Sequence, residues 1–251
     1  MQCYPDKEMS TLGLVKQITR LLYTSFKKSL VWIVLIALVQ HASISWLATF
    51  GGFYGQAVID MLALILIAFF FSVALYSSHH AFIDQPVSMM GSIKAIWQKK
   101  IHIFSVLLMY VVGAILVYYA VELIIQGVDR LLHEPSALHG LTLILTTAFL
   151  LMYVAMFYFA FPLAVIDEKP FPSVFYDSLL LTEKNKTGVI VLLMILGALI
   201  IMMTPGMAYM DYLMAYHLQF LYTLVLLCIA VPIYINLLLL LIHDSKKQMS
   251  E

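Results

Sequence analysis

Residues 57–80 read AVIDMLALILIAFFFSVALYSSHH. No charged side chain stands between Asp60 and His79. As a helix rising 1.5 Å per residue, the run is long enough to cross the roughly 30 Å hydrocarbon core of a bilayer. It shows no alternation of apolar and polar positions, so it does not read as a barrel strand. Helix follows, because hydrocarbon offers backbone N–H and C=O groups no outside partner. Working outward, five more such runs occupy about 29–49, 101–125, 140–166, 187–209 and 216–242. The whole chain agrees. Its 251 residues are 63% apolar and 11% charged, with a mean hydropathy of +0.97. A soluble domain is about half apolar and a quarter charged. The expected fold is therefore all-α: a polytopic membrane protein with six transmembrane helices in a single domain.

The basic residues set the expected orientation. Lys7, Lys16, Arg20, Lys27 and Lys28 precede the first run, and Lys94, Lys99 and Lys100 lie between the second and third. Lys169, Lys184 and Lys186 lie between the fourth and fifth, and Lys246 and Lys247 follow the sixth. Only Arg130 falls on the opposite side. The positive-inside rule then predicts cytoplasmic termini, and an even number of spans returns the chain to its starting side. Net charge is zero, so no bulk field points to nucleic acid. Cys3 and Cys228 are expected at different depths and unpaired. The first apolar run is long enough to span and lacks a small-x-small cleavage site, so it reads as a span rather than a signal peptide.

Three segments on the expected cytoplasmic side carry helical periodicity. In 9–28 the apolar stripe is Leu12, Val15, Ile18, Leu22 and Phe26; in 86–98 it is Met89, Met90, Ile93, Ile96 and Trp97. In 171–183 it is weaker, with Phe171, Val174, Phe175, Leu179 and Leu181. Basic amphipathic helices beside a span are expected in the headgroup plane. The alternative is that each packs onto the end of the bundle. A shift of 84 residues places Pro86 on Pro170, Lys100 on Lys184 and Gly113 on Gly197; a weaker shift of 72 places Lys27-Lys28 on Lys99-Lys100. The implied unit is an amphipathic helix, a span outward and a span back, repeated three times over 9–80, 86–166 and 170–243. Lys27, Lys28, Trp97, Lys99, Lys100, Lys184 and Lys186 are the candidate contacts to membrane lipids with anionic headgroups.

The segment from Phe161-Pro162-Leu163-Ala164-Val165-Ile166-Asp167 through Pro170, Asp177-Ser178-Leu179 and Thr182-Glu183-Lys184-Asn185-Lys186 resembles the YciC-like bacterial inner-membrane proteins. It is also similar to the membrane domain fused to some glycerophosphodiester phosphodiesterases. The resemblance covers 161–200 well and the remainder only in architecture, and residues 171–183 carry fewer basic side chains than those families often do. It implies a six-span protein of the bacterial cytoplasmic membrane and carries over no catalytic residue.

Several residues could carry chemistry. Glu122 lies inside an apolar run, and Asp60, His41 and His217 are expected at a similar depth. An intramembrane ionisable group marks a transport pathway or reaches water by extending along its helix. Asn236 and Pro232 interrupt the sixth run, Pro162 the fourth and Pro205 the end of the fifth. A broken span can expose carbonyls to an ion, although neighbours commonly satisfy them. His79 and Asp84 have the His-x4-Asp spacing of lipid acyltransferases, in which the histidine would act as base. His133, Glu134 and His139, and the methionines at 202, 203, 207, 210 and 214, are weak metal patterns. No phosphate-binding loop, nucleophile elbow or dinucleotide fingerprint is present, and no cofactor is expected. The leading expectation is a non-enzymatic protein of lipid organisation or envelope scaffolding. The alternatives are a small-solute or ion transporter or channel using Glu122 and Asp60, and an acyltransferase at His79 and Asp84.

Overall fold

The computed structural model describes residues 23, 26–43, 53–83, 85, 87–132, 135–167, 171–191, 193–194, 197 and 216–250. The described residues are helical apart from short turns, and no strand occurs among them. In chain order the helices are α1 (Phe26–Ser43), α2 (Phe53–Phe82), α3 (Met89–Gln98), α4 (Lys100–Leu132), α5 (Pro135–Met156) and α6 (Ala160–Ile166). They continue with α7 (Phe171–Lys184), α8 (186–191) and α9 (Tyr216–Ser250). Five stretches are long and apolar enough to cross a membrane: Phe26–Ser43, Val58–Phe82, Lys100–Gly127, Ile144–Ile166 and Phe220–His243. Each overlaps an apolar run read from the sequence. The expected span 187–209 and the expected surface helix 9–28 fall mostly outside the described residues.

What surrounds these helices follows from what they leave uncovered. Within the Lys100–Gly127 stretch only Ile103, Val106, Val121 and Ile125 are buried, and Ile101, Leu108, Leu116, Leu123 and Ile124 point outward. Each such side chain would favour leaving water by about 1.5–3 kcal/mol, and the protein itself does not cover them. Hydrocarbon would cover them, and the length and composition of these helices suit an α-helical membrane protein.

The chain forms two compact units, Met1–Gln98 with Val191–Glu251, and Lys99–Ile190. In the first, α1 contributes buried Trp32, Ile33, Ile36 and Ala37, and α9 contributes Ile235, Leu238, Leu239 and Ile242. Aromatic pairs join its helices: Trp32 stacks on Phe70 at 6.1 Å, Phe71 meets Tyr234 at 6.0 Å, and His41 meets Phe220 at 5.3 Å. In the second unit the core is Ile103 and Val106 of α4, Phe159 between α5 and α6, Leu163 and Val165 of α6, and Val174 and Leu181 of α7. α4 and α5 meet at Gly113, where the Tyr153 ring occupies the space a side chain would need. The Tyr153 hydroxyl donates to the Met109 carbonyl at 2.8 Å.

Candidate functional site

Two places combine buried polar side chains with helix packing, one in each unit. The first is the α2–α3 pair. Ser92 of α3 is fully buried, and its hydroxyl accepts a 2.9 Å bond from Ser77 of α2 while donating to the Ser88 carbonyl at 3.2 Å. Ile96, one turn on, is also buried. The opposite side of α3 carries Met89, Met90 and Trp97, exposed by 52%, 72% and 60%, with the exposed Lys94 beside them. Trp97 rests an edge against Phe69 at 6.4 Å. In water a helix would do the reverse, turning its serines out and its tryptophan in. The sequence stripe placed Ile96 together with Met89, Met90, Ile93 and Trp97. The structure divides it, because Ile96 belongs to the inward face beside Ser92.

The second place is a bend in the fourth apolar run, between α5 and α6. Pro162 has no N–H to give the Tyr158 carbonyl, and its ring excludes that carbonyl from the helical position. Residues 157–159 accordingly leave the α-helical ladder. Tyr158 N–H turns to Ala155 O at 3.4 Å, and Ala160 N–H to Phe157 O at 3.0 Å, both bonds of the tighter three-residue kind. Hydroxyls from other helices engage backbone groups around the bend. Ser178 of α7 accepts from Phe159 N–H at 3.1 Å and donates to Met156 O at 3.4 Å. Thr182, one turn further along α7, lies 3.3 Å from both the Ala155 and Met156 carbonyls. The Tyr110 hydroxyl of α4 donates to Phe157 O. Ser178 sits between Val174 and Leu181 on the buried face of α7, which fixes its aim.

The remaining sequence candidates are dispersed. Lys99, in the one-residue turn between α3 and α4, is half-buried and donates to the Val165 carbonyl at the end of α6 at 3.3 Å. Lys27, Lys100, Lys184 and Lys186 are exposed and Lys28 is half-buried. Asp60 is exposed on α2 in the first unit; Glu122 is half-exposed on α4 in the second, beside the Val121–Ile125 cluster. Asn236 is buried and donates through Nδ2 to the Pro232 carbonyl at 2.7 Å, one turn back along α9. His217 is in the first turn of α9, with its side chain outside the described set. His79 and His80 are half-buried in the last turn of α2, with His80 over the Tyr76 ring at 4.2 Å; Asp84 lies outside the described residues. So do His133, Glu134 and the 202–214 methionines. No grouping of three metal-ligating side chains occurs among the described residues.

Sequence reasoning did not single out Tyr110, Ser77, Ser178 or Thr182 as functional. The usable signal was Pro162: a proline inside a span obliges some neighbour to supply partners to the turn before it. No family model, curated protein or solved structure matches this chain.

Proposed function

We propose that this is a non-enzymatic, six-span protein of a bacterial cytoplasmic membrane that organises anionic lipid, or holds envelope partners, through helices lying along its lysine-rich face. The termini are cytoplasmic, as the lysine distribution requires. The observation that carries the reading is the outward presentation of Met89, Met90 and Trp97 on α3 beside Lys94, with the polar Ser92 turned inward. An apolar stripe flanked by a cation suits the boundary between acyl chains and headgroups, and each nearby lysine adds about 1 kcal/mol toward an anionic surface.

The likeness of the second and third units has support beyond composition. α3 and α7 each end in a one-residue turn, Lys99 and Asn185, followed directly by another helix. In both places the first new backbone bond has the same form, Ile103 N–H to Lys99 O and Val189 N–H to Asn185 O. Each surface helix also buries one serine against a preceding span, Ser92 and Ser178. These pairs share an offset of 86 rather than 84. The YciC-like resemblance fits the same plan. No described contact favours transport through Glu122 and Asp60, or acyl transfer at His79, over this reading.

The test uses Trp97 as the sole tryptophan, with Trp32 and Trp46 replaced by phenylalanine. Reconstituted into vesicles, Trp97 should be quenched by lipids brominated near the headgroup end of the chain and shielded from aqueous iodide. Efficient iodide quenching without lipid quenching would refute the interfacial placement. Lys94→Gln with Lys100→Gln should lower the anionic lipid that co-purifies, and unchanged retention would refute the lipid preference.

A further inference from the structure

We infer that residues 157–159 form a hinge in a membrane-spanning segment and that α7 is its latch, closed by the hydroxyls of Ser178 and Thr182. The argument is independent of any lipid preference. A proline bend could relax its freed backbone groups on waters or within its own helix. Here the partners come from a separate amphipathic helix. Phe159 N–H has left the ladder and is held by Ser178, while the Ala155 and Met156 carbonyls are held by Thr182 and Ser178. These oxygens are already engaged by hydroxyls, so the bend is arranged as a closed catch rather than an open cation cradle.

The related α2–α3 pair sharpens the point. There the surface helix also buries one serine, but against an unbroken α2, and its partner is another hydroxyl, Ser77. Ser92 otherwise bonds only the Ser88 carbonyl at the start of its own helix, whereas at the Pro162 break the serine reaches the backbone of the span. The bonds donated by the latch hydroxyls are also long, 3.3 to 3.4 Å, and Thr182 divides one hydroxyl between two carbonyls. Hydroxyl bonds at full strength are nearer 2.7–2.8 Å. A catch of this kind holds a bend in place yet lets go without breaking a helix. When α7 moves, α6 is free to turn about Phe157–Phe159, with the Tyr110 hydroxyl and the Ala160 N–H still on the Phe157 carbonyl.

Hydrogen–deuterium exchange of the full chain in lipid nanodiscs tests this. Ser178→Ala and Thr182→Val should each accelerate exchange at residues 157–160, by roughly tenfold for the first, with the double variant faster than either. Thr182→Ser, which keeps the hydroxyl, should exchange like the parent, as should Thr187→Val on the exposed side of α8. Unchanged protection at 157–160 in the double variant would overturn the latch. So would acceleration spread evenly through α4 and α5, or a Thr182→Ser protein as fast as Thr182→Val, since either would mean that α7 merely packs.

Discussion

Replacing Gly113 with alanine places a methyl group inside the Tyr153 ring, 2.7 Å from Cε2 and closer still to Cζ and the hydroxyl. The ring must swing away. It then loses the 2.8 Å bond to the Met109 carbonyl, worth about 1 kcal/mol, and its edge contact with Tyr110 at 6.3 Å, worth about as much. Against this, alanine is a better helix former than glycine by about 0.8 kcal/mol. The expected net effect is a destabilisation of about 1 kcal/mol. Gly127→Ala, in the same helix with nothing within 4 Å of the added carbon, should be neutral or stabilising. The decisive arm is a background of Tyr153→Ala. With the ring gone, Gly113→Ala has only its propensity benefit and its effect should change sign. SDS titration in mixed micelles, followed by circular dichroism, measures all four proteins. If Gly113→Ala costs the same with and without Tyr153, the close approach of α4 and α5 at this glycine is not what the substitution disturbs.

Other perturbations follow from the same contacts. Ser92→Ala strands the buried Ser77 hydroxyl and should cost about 1–2 kcal/mol, whereas removing both serines should cost less than the separate losses combined; a double-mutant cycle in micelles checks the coupling. Lys99→Met removes the donor to the Val165 carbonyl and should lower the unfolding midpoint, with Lys99→Arg closer to the parent. Asn236→Leu, at a buried position, should cost about 1 kcal/mol in the same assay through loss of the bond to Pro232. If the protein organises lipid, proteoliposomes should show no solute flux that Glu122→Gln abolishes; a flux lost in that variant would restore the transport reading.

The spans were legible because hydrocarbon imposes one rule on every segment that crosses it: about twenty apolar residues, closed on their own backbone bonds. Residues 57–80 and 216–242 needed no tertiary information. The bend was half legible. Pro162 announced an interruption, but the residues that leave the ladder lie three to five positions upstream, and their partners come from α4 and α7. Gly113 was visible only as punctuation matching Gly197. Its reason is Tyr153, forty residues away, while Gly197 has nothing near its would-be side chain. The Met89–Trp97 stripe shows the sharpest limit. Periodicity locates an apolar face by contrast with a polar one, and in a membrane protein both the core and the surroundings are apolar. Nothing in the pattern itself says that Ile96 turns in while Met90 and Trp97 turn out.

That inversion has a mechanical consequence for the paired surface helices. A helix held to its span through a packed apolar face resists movement along its whole length, because every displaced methylene loses close contacts. Where serine hydroxyls supply part of that hold, beside Ile96 on α3 and Val174 and Leu181 on α7, those bonds can be exchanged for similar ones at modest cost. α3 and α7 both anchor inward through a serine, and both keep bulky residues outside: Met90 and Trp97 on α3, Tyr176 on α7. The difference lies in what each serine holds, a side chain on unbroken α2 in one case and the open backbone at Phe159 in the other. If the surface helices respond to the membrane, the response of α3 ends at Ser77. That of α7 passes into the span, and Pro162 is the residue that makes the two unequal. Pro162→Ala should therefore restore the ladder at Phe159 and reduce the sensitivity of residues 157–160 to Ser178→Ala, read by the same exchange measurement. An undiminished effect of Ser178→Ala in the Pro162→Ala protein would mean that the break does not depend on the proline.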